Sequence, residues 1–272
     1  MTGSVAWISL APVKALGLVH PEEVLVKPFG ISGNRRFHLV DAGGRMMNGK
    51  VLGELVGVRP SWDESTDTLT LCFPDGSFLE GVIRLGEPAT TEFYGRPVPG
   101  RFVEGPWANA LSEFAGRALR LVQTDEPGEA VDRSAREGAV TLLGVGSLQA
   151  LADAAGLDGP VDGRRFRMTF GVEGFEPHAE DGWIGRPVRI GEALVRPLGN
   201  VGRCAVTTQN PDTGIPDLDT LRVLRAYREE MRTTEPLPFG VHAAVLEPGR
   251  VRLGDPVVPE DSRPLGGRSG PV

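Results

Sequence analysis

The sequence predicts a mainly β protein with several helices, of the α+β class, and three observations lead to this prediction. Glycine (37) and proline (23) are abundant among the 272 residues, so turns should be many and long helices few. Short apolar runs bounded by turn residues recur at close spacing, as strands do in barrels. Few segments carry apolar side chains at the helical period.

The N-terminal half is predicted to be a succession of short strands that form a barrel or a rolled sheet. A hairpin around Ala42-Gly43-Gly44 and a turn at Asp75-Gly76 separate some of them. The expected strands are Val5–Leu10, Glu23–Val26, Phe37–Val40, Arg45–Met47, Leu55–Trp62, Thr68–Phe73, Gly81–Leu85 and Thr91–Phe93.

The middle of the chain is predicted to pass from a helix to a strand and then to a polar connection. Trp107–Gly116 places its apolar residues on one helical face, and the glycine is a suitable end. Leu119–Gln123 should be a strand. Residues 124–138 are polar and charged without apolar periodicity, which predicts a loop connecting domains at 1–123 and 139–260.

The C-terminal half is predicted to mix strands with two helices. Ser147–Ala155 should be a helix with Ser147 as its N-cap, and Asp217–Met231 should be the longest helix. The tail at 261–272 is rich in glycine, proline, serine and arginine, which predicts disorder. The expected strands are Phe170–Glu173, Val188–Ile190, Leu194–Pro197 and Ala205–Thr208, followed by a hairpin of His242–Leu246 and Arg250–Leu253.

Composition excludes several classes of function. The net charge of -7 disfavours sequence-independent binding of nucleic acid, which needs a basic surface. No apolar stretch is long enough for a transmembrane helix, and the N-terminus lacks the pattern of a signal peptide, so a cytoplasmic protein without membrane association is expected. With 2 cysteines, a disulfide scaffold is not suggested, and a reducing compartment fits.

The common catalytic signatures are missing. The sequence has no phosphate-binding P-loop, no dinucleotide-binding glycine turn and no nucleophile elbow. The four histidines are scattered and make no zinc-binding pattern with the cysteines. Cys72 lies in an apparent strand, where it is interpreted as a small buried apolar residue.

Cys204 is the candidate for chemistry, although spacing alone favours an ordinary thiol. It follows Arg203, and two glycines, Gly199 and Gly202, make the approach irregular. A thiolate is a soft donor that suits a soft or redox-active metal. Because one thiolate cannot build a closed metal site, the remaining ligands would have to come with a cofactor.

Several motifs, in order, resemble the MOSC-domain family. Residues 161–167 (VDGRRFR), 179–183 (AEDGW), 203–204 (RC) and 210–214 (NPDTG) match its pattern, ending in Gly254-Asp255-Pro256-Val257. Residues 8–40, with Pro12-Val13-Lys14 and Arg36-Phe37, resemble its N-terminal β-barrel domain. The resemblance implies an N-terminal barrel-like domain followed by a MOSC barrel. This pairing resembles the mitochondrial amidoxime-reducing component family and its bacterial relatives.

The resemblance implies a molybdenum–molybdopterin cofactor and the reduction of small N-hydroxylated, or related N–O and S–O, compounds. Cys204 would be both catalytic and the metal ligand, and Asp181 a catalytic or proton-handling residue. Electrons would come from a separate ferredoxin-like, flavin or cytochrome protein, because two cysteines cannot hold an iron–sulfur cluster. The residues implied in cofactor binding are Lys14, Arg36, Ser147, Arg167, Arg203 and Thr208.

Two departures from the family pattern bear on the cofactor. Arg167 is followed by Met168-Thr169, where the family commonly has proline and asparagine, and Lys14 is followed by Ala15, where serine is common. Two alternatives therefore stay open. The chain could carry the cofactor, or serve its sulfuration, without turnover of its own; or it could be a barrel protein that has lost the cofactor.

Overall fold

The computed structural model describes residues 2–129, 133–233 and 235–260, and it confirms the mainly β fold. In chain order the strands are β1 (Gly3–Ile8), β2 (Glu23–Lys27), β3 (Gly30–Ile31), β4 (Phe37–Asp41), β5 (Met46–Met47), β6 (Arg59–Asp63), β7 (Thr68–Cys72), β8 (Phe78–Val82), β9 (Arg84–Phe93), β10 (Arg96–Glu104), β11 (Leu119–Thr124), β12 (Val140–Gly144), β13 (Phe170–Glu173), β14 (Val188–Ile190), β15 (Ala193–Gly202), β16 (Pro238–Glu247), β17 (Gly249–Arg252) and β18 (Pro256–Pro259). The helices are α1 (Trp107–Phe114), α2 (Ala135–Gly138), α3 (Val145–Ala155) and α4 (Thr220–Arg228).

Seven strands close into a barrel in the order β1-β13-β12-β16-β15-β14-β18. Alternate side chains of these strands point inward and form one apolar core, which includes Val5, Phe170, Val195 and Val241. Gly171 of β13 lies against the indole of Trp7, so close that a Cβ atom there would collide with the ring. The barrel wall therefore requires glycine at this position.

A second apolar core lies in the N-terminal part, between the five-stranded sheet β5-β4-β11-β10-β9 and the three-stranded sheet β6-β7-β8. Helix α1 packs its apolar face into this core through Trp107 and Leu111, which are buried. The Trp107 indole N–H donates to the Leu69 carbonyl of β7 at 3.1 Å, so the buried nitrogen is satisfied.

The two parts share strands rather than meeting only at a linker. β1, from the start of the chain, pairs with β13 and β18 of the barrel. β2 pairs antiparallel with β17, near the end of the described chain. Strands from before and after the expected boundary near residue 123 are therefore hydrogen-bonded to each other. The domain division itself stays a prediction.

Several elements differ from the sequence-based expectation. The expected strand Leu55–Trp62 is a 3₁₀ turn at Gly53–Gly57 followed by β6. The segment Ala205–Thr208 is a 3₁₀ turn and not a strand. The predicted final hairpin does not form. β16 pairs with β12 and β15, and β17 pairs with β2. Alternation within each strand was visible in the sequence, but strand partners so far apart along the chain were not.

The helices also begin and end differently. α3 begins at Val145 after Gly144, so Ser147 lies inside the first turn instead of capping it. α4 begins at Thr220 because Asp219 caps it, its side chain accepting the Arg222 backbone N–H at 3.0 Å. It ends at Arg228 and is shorter than α3, so the expectation that it is the longest helix is wrong. The predicted disordered tail at 261–272 and part of the predicted connection at 124–138 lie outside the described residues.

Cys72 is exposed, so its interpretation as a buried residue is wrong. In β7 the side chains of Leu69 and Leu71 point into the core, and strand alternation places Cys72 on the opposite face. No helix in the described part of the chain is long and apolar enough to span a membrane.

His38 makes the stability of the fold depend on pH. It is fully buried in β4, where its Nε2 pairs with the Thr91 hydroxyl at 2.8 Å. Burial, and then the charge of Lys14, lower its pKa to about 3. The unfolded chain takes up a proton at this residue near pH 6.5, whereas the folded chain does not. Stability from neutral His38 is therefore complete above about pH 6.5 and falls as the pH drops toward 3.

We expect the free energy of unfolding to fall by about 2 to 3 kcal/mol between pH 6.5 and pH 4.5 through this group. Urea denaturation of the wild type and of His38→Gln at both pH values measures it. Carboxylates contribute equally to both proteins, so the difference between them isolates the histidine. An identical pH dependence in the two proteins would contradict the assignment.

Candidate functional site

A cleft of about 200 Å³ lies between the N-terminal part, which contributes Lys14 and Lys50, and the barrel part, which contributes Cys204 and His242. Its lining is strongly cationic, and no aspartate or glutamate belongs to it among the residues that the structure describes. Such a cleft favours an anionic ligand. The cationic side chains that line it are Lys14, Arg35, Lys50, Arg133, Arg164, Arg165, Arg167 and Arg203.

Cys204 lines this cleft as a half-buried free thiol. It follows the end of β15, has an extended backbone (φ −133°, ψ 177°) and is the residue at which the 3₁₀ turn Ala205–Thr208 begins. Its carbonyl accepts the backbone N–H and the hydroxyl of Thr207, each at 3.0 Å. The main chain of Cys204 thus holds the turn, and its sulfur remains available to a ligand in the cleft.

Arg203, next to Cys204, is a buried cation held by neutral acceptors. Its guanidinium donates to the carbonyls of Phe239 (Nε, 2.9 Å) and Phe166 (3.1 Å) and to the sulfur of Met168 (3.0 Å). Burial lowers its pKa to about 9, although the nearby Cys204 acts in the opposite direction. Since 9 is above neutral pH, Arg203 stays charged beside the thiol.

Arg167 and Arg35 place two more cations in the cleft. Both have left-handed backbones, each with φ of 53°. Arg167 donates to the Leu16 carbonyl at 2.7 Å, and Arg35 reaches the Arg167 carbonyl at 3.4 Å. Burial, and then the charge of Arg35, lower the pKa of Arg167 to about 9. The two guanidinium groups repel each other electrostatically, and an anion between them would relieve this repulsion.

Lys14 lies on the N-terminal wall of the cleft and is 7% exposed. Its backbone N–H donates to the Phe37 carbonyl at 2.8 Å, which fixes it beside β4. Its ammonium group lies 5.6 Å from the centroid of the Phe93 ring. A buried ammonium group over an aromatic ring is a point charge that a phosphate can approach from the cleft.

Four residues implied by the sequence do not line the cleft. Arg36 points away and reaches the Asp125 carbonyl at 3.4 Å. Ser147 is buried and donates to the Glu180 carboxylate at 2.8 Å. The Thr208 hydroxyl donates to the Ala205 carbonyl at 2.8 Å, within its own turn. Asp181 pairs with Arg228 instead.

Asp181 forms a buried polar cluster elsewhere in the barrel. Its carboxylate accepts from Asn200 of β15 at 2.6 Å and pairs with Arg228 of α4 at 2.7 Å. Arg228, 5% exposed at its side chain, also donates to the Pro238 carbonyl at 2.8 Å. The cluster therefore ties α4 to two barrel strands.

Sequence reasoning missed several lining residues. Arg35 lines the cleft, whereas its neighbour Arg36 was expected to do so. Arg35 has a left-handed backbone, and the alternation of residues in the sequence does not predict such a conformation. His242 lines the cleft from β16, and its Nδ1 contacts the Glu137 carbonyl at 2.5 Å, which requires Nδ1 to carry the proton. Burial lowers its pKa, so its Nε2 is an acceptor at neutral pH.

The loop that follows β5 closes one side of the cleft. Gln209 donates from its side-chain amide to the Gly49 carbonyl at 2.7 Å. Gly53 and Gly214 approach so closely that a Cβ on either would collide with the backbone of the other. Gly214 also has φ of 72°, which disfavours any side chain there. These contacts hold the N-terminal wall against the segment that follows Cys204.

The lining fits an anionic cofactor that brings its own metal. Within the described residues, no group of three or more His, Cys, Asp and Glu side chains is arranged to hold a metal ion. A metal here would therefore take one protein ligand, the Cys204 thiolate, and its remaining donors from a cofactor. Lys14, Arg35 and Arg167 offer the donors that a phosphate group requires.

Comparison with known proteins covers both parts of the chain. Residues 2–99 match the model of the MOSC N-terminal beta barrel domain, and residues 128–258 match that of the MOSC domain. Mitochondrial amidoxime-reducing component 1 of Mus musculus is 27% identical over 94% of this chain and 82% of its own length. The Homo sapiens protein of that name is 25% identical over the same shares. The Xenopus laevis protein is 36% identical over 43% of this chain and 35% of its own length.

Proposed function

The chain belongs to the MOSC-domain family, with a MOSC N-terminal barrel domain before the MOSC domain, and we propose that it is a molybdenum-cofactor-dependent reductase of N-hydroxylated compounds. The relatives that match 94% of the chain are named for amidoxime reduction, which supports this substrate class. The observation that carries the proposal is the cleft itself, in which the Cys204 thiol meets the cationic side chains of Lys14, Arg35, Lys50, Arg167 and Arg203. The other cations of the lining are ion-paired with carboxylates that lie outside it: Arg133 with Glu235, Arg164 with Asp162 and Asp212, and Arg165 with Asp217.

The roles of the residues follow from their places in the cleft. Cys204 supplies the protein's sulfur ligand to the metal, and its backbone contacts to Thr207 orient it. Lys14, Arg35 and Arg167 hold the phosphate of the molybdopterin, the arginines by forked hydrogen bonds and the lysine as a point charge. Arg203 keeps a fixed positive charge next to Cys204.

When bound, the cofactor supplies the two-electron chemistry that removes oxygen from an N–O or S–O bond. The protein binds and orients the substrate and limits access of water to the cleft. The electrons come, in this proposal, from a separate protein of the ferredoxin, flavin or cytochrome type, because the chain's two cysteines cannot hold an iron–sulfur cluster. Asp181 and Ser147, which lie outside the cleft lining, are proposed to support the barrel and not the reaction.

The proposal is tested on protein purified from a host that makes molybdenum cofactor. We expect a stoichiometric amount of molybdenum by elemental analysis, and conversion of an amidoxime to its amidine with a chemically reduced viologen as the electron source. Molybdenum without turnover would favour a cofactor carrier. Absence of molybdenum from a correctly folded protein would refute both of these functions.

A further inference from the structure

Lys50 is an exposed cation at the mouth of the cleft. Among the cationic lining residues, Lys14 and Arg203 are buried and Arg167 is half-buried, whereas Lys50 is exposed. Within the described part of the chain, the Lys50 ammonium group forms no ion pair. The nearest carboxylate along the chain, that of Glu54, is exposed and lies outside the cleft lining. The charge of Lys50 is therefore available to a ligand that enters from solvent.

The loop that carries Lys50 is held against the turn that begins at Cys204. The Asn48 side chain accepts the Lys50 backbone N–H at 3.0 Å, which fixes the backbone of the loop. The residue between them, Gly49, lies against Val206 of the 3₁₀ turn. Since Val206 comes two residues after Cys204, Lys50 belongs to the wall of the cleft that adjoins the sulfur.

The phosphate of the proposed cofactor does not require Lys50. Arg167 donates to the Leu16 carbonyl, and Arg35 reaches the Arg167 carbonyl, so these two cations lie together with Lys14 on the N-terminal wall. A phosphate monoester carries about two negative charges, which these three residues can compensate. Lys50 thus leaves a positive charge at the mouth of the cleft when the cofactor is bound. Such a charge favours the entry of a second anionic group.

We propose that Lys50 is a specificity-determining residue that binds a carboxylate of the substrate. The proposal rests on the proposed reductase function and adds a preference for N-hydroxylated compounds that also carry a negative charge. A lysine ammonium group is a point charge on a flexible stem, so it can meet carboxylates at different distances from the reacting nitrogen. The same charge disfavours a cationic substrate by repulsion.

The test compares two amidoximes that differ in one group, a para carboxylate or a neutral para carboxamide of similar size on the same phenyl ring. Lys50→Gln removes the charge, and Lys50→Arg keeps it. Lys27→Gln is the matched control, because Lys27 belongs to β2, lies 3.9 Å from the Glu64 carboxylate and is not part of the cleft lining. A reduced viologen supplies the electrons, so docking of an electron-donor protein does not enter the result.

We expect Lys50→Gln to raise KM for the carboxylate compound about fivefold and to leave kcat near that of the wild type, which is the scale of an exposed ion pair. KM for the carboxamide compound should change by less than about twofold, and Lys50→Arg and Lys27→Gln should behave as the wild type. Raising the ionic strength from about 0.05 M to about 0.5 M should raise KM for the carboxylate compound more strongly in the wild type than in Lys50→Gln, since salt screens exposed charges.

Three further measurements decide against the alternatives. The Kd of the carboxylate compound, from calorimetric titration of the oxidised protein, should rise in Lys50→Gln and not in Lys27→Gln. Molybdenum per chain should not change; its loss in Lys50→Gln would mean that Lys50 holds the cofactor and would overturn the proposal. The Tm should stay at the wild-type value. A clearly lower Tm, or equal effects on both amidoximes, would show a merely structural residue.

Failure of the reductase function gives a different result from failure of this proposal. Wild-type protein without molybdenum or turnover contradicts the proposed function. A wild type that reduces both amidoximes, with the same KM and Kd for the carboxylate compound in Lys50→Gln, contradicts the role of Lys50 alone.

Discussion

Replacing Cys204 with serine is expected to remove molybdenum from the purified protein and to reduce its amidoxime reduction to background. A serine hydroxyl stays protonated at neutral pH and is a poor donor to a soft metal, whereas a thiolate is a good one. Loss of a residue that only supports a metal ligand already costs about 10- to 100-fold in affinity, so loss of the ligand itself should cost more. Elemental analysis and a steady-state assay measure the two effects.

The fold should survive this change. The structural contacts of Cys204 are made by its carbonyl, which accepts from Thr207 and which serine retains. The Tm should therefore stay near that of the wild type. Cys72→Ser is the matched control, since Cys72 is the other cysteine and is exposed on β7. If Cys204→Ser keeps its molybdenum and its rate, or if Cys72→Ser loses them, the metal-ligand assignment is wrong.

The largest loss of stability is expected from Arg228→Met. The substitution removes the cation from the Asp181 carboxylate, which is 18% exposed, and leaves the Pro238 carbonyl without its donor. Removing one member of a buried ion pair costs about 3 to 5 kcal/mol, because the other charge stays behind without compensation. Chemical denaturation should show this decrease in the free energy of unfolding. In a chain of this size we expect a fall in Tm of roughly 6 to 10 °C.

The same pair separates a structural role of Asp181 from a catalytic one. Asp181→Asn should also destabilise the protein, and the double variant with Arg228→Met should lose less than the sum of the single losses, since the two residues interact directly. Molybdenum content and kcat should stay close to the wild type. A large fall in kcat in Asp181→Asn, without a loss of stability, would restore a direct role in the reaction.

Strand periodicity predicted the class of fold. The ordered motifs singled out Cys204, which lines the cleft, and its role as a metal ligand stays a prediction. The exposure of Cys72 could have been predicted from the sequence, because Leu69 and Leu71 already assign the inward face of β7. The orientation of Arg35 and Arg36, in contrast, could not be predicted from the sequence. Which of two adjacent arginines faces the cleft depends on a left-handed residue, and no local pattern marks arginine for that conformation.

Lining residues from distant elements were the hardest to foresee. Tyr94 at a hairpin tip, Lys50 in a loop and His242 in β16 come together only because β4, β9 and the barrel enclose one space. The prediction of the final hairpin was wrong for the same reason. Its two segments are adjacent in sequence, but β17 completes its hydrogen bonds with β2, more than two hundred residues earlier.

The pairing of β1 with β18 also governs when the molecule can assemble. Gly3 lies opposite Val257, so the barrel wall closes only after the chain has been synthesised through residue 257. Contacts of such long sequence separation give a high contact order, which slows folding and leaves strand edges exposed in the meantime. Because Cys204 lies just after barrel strand β15, we expect the proposed cofactor to be loaded only after the barrel has closed.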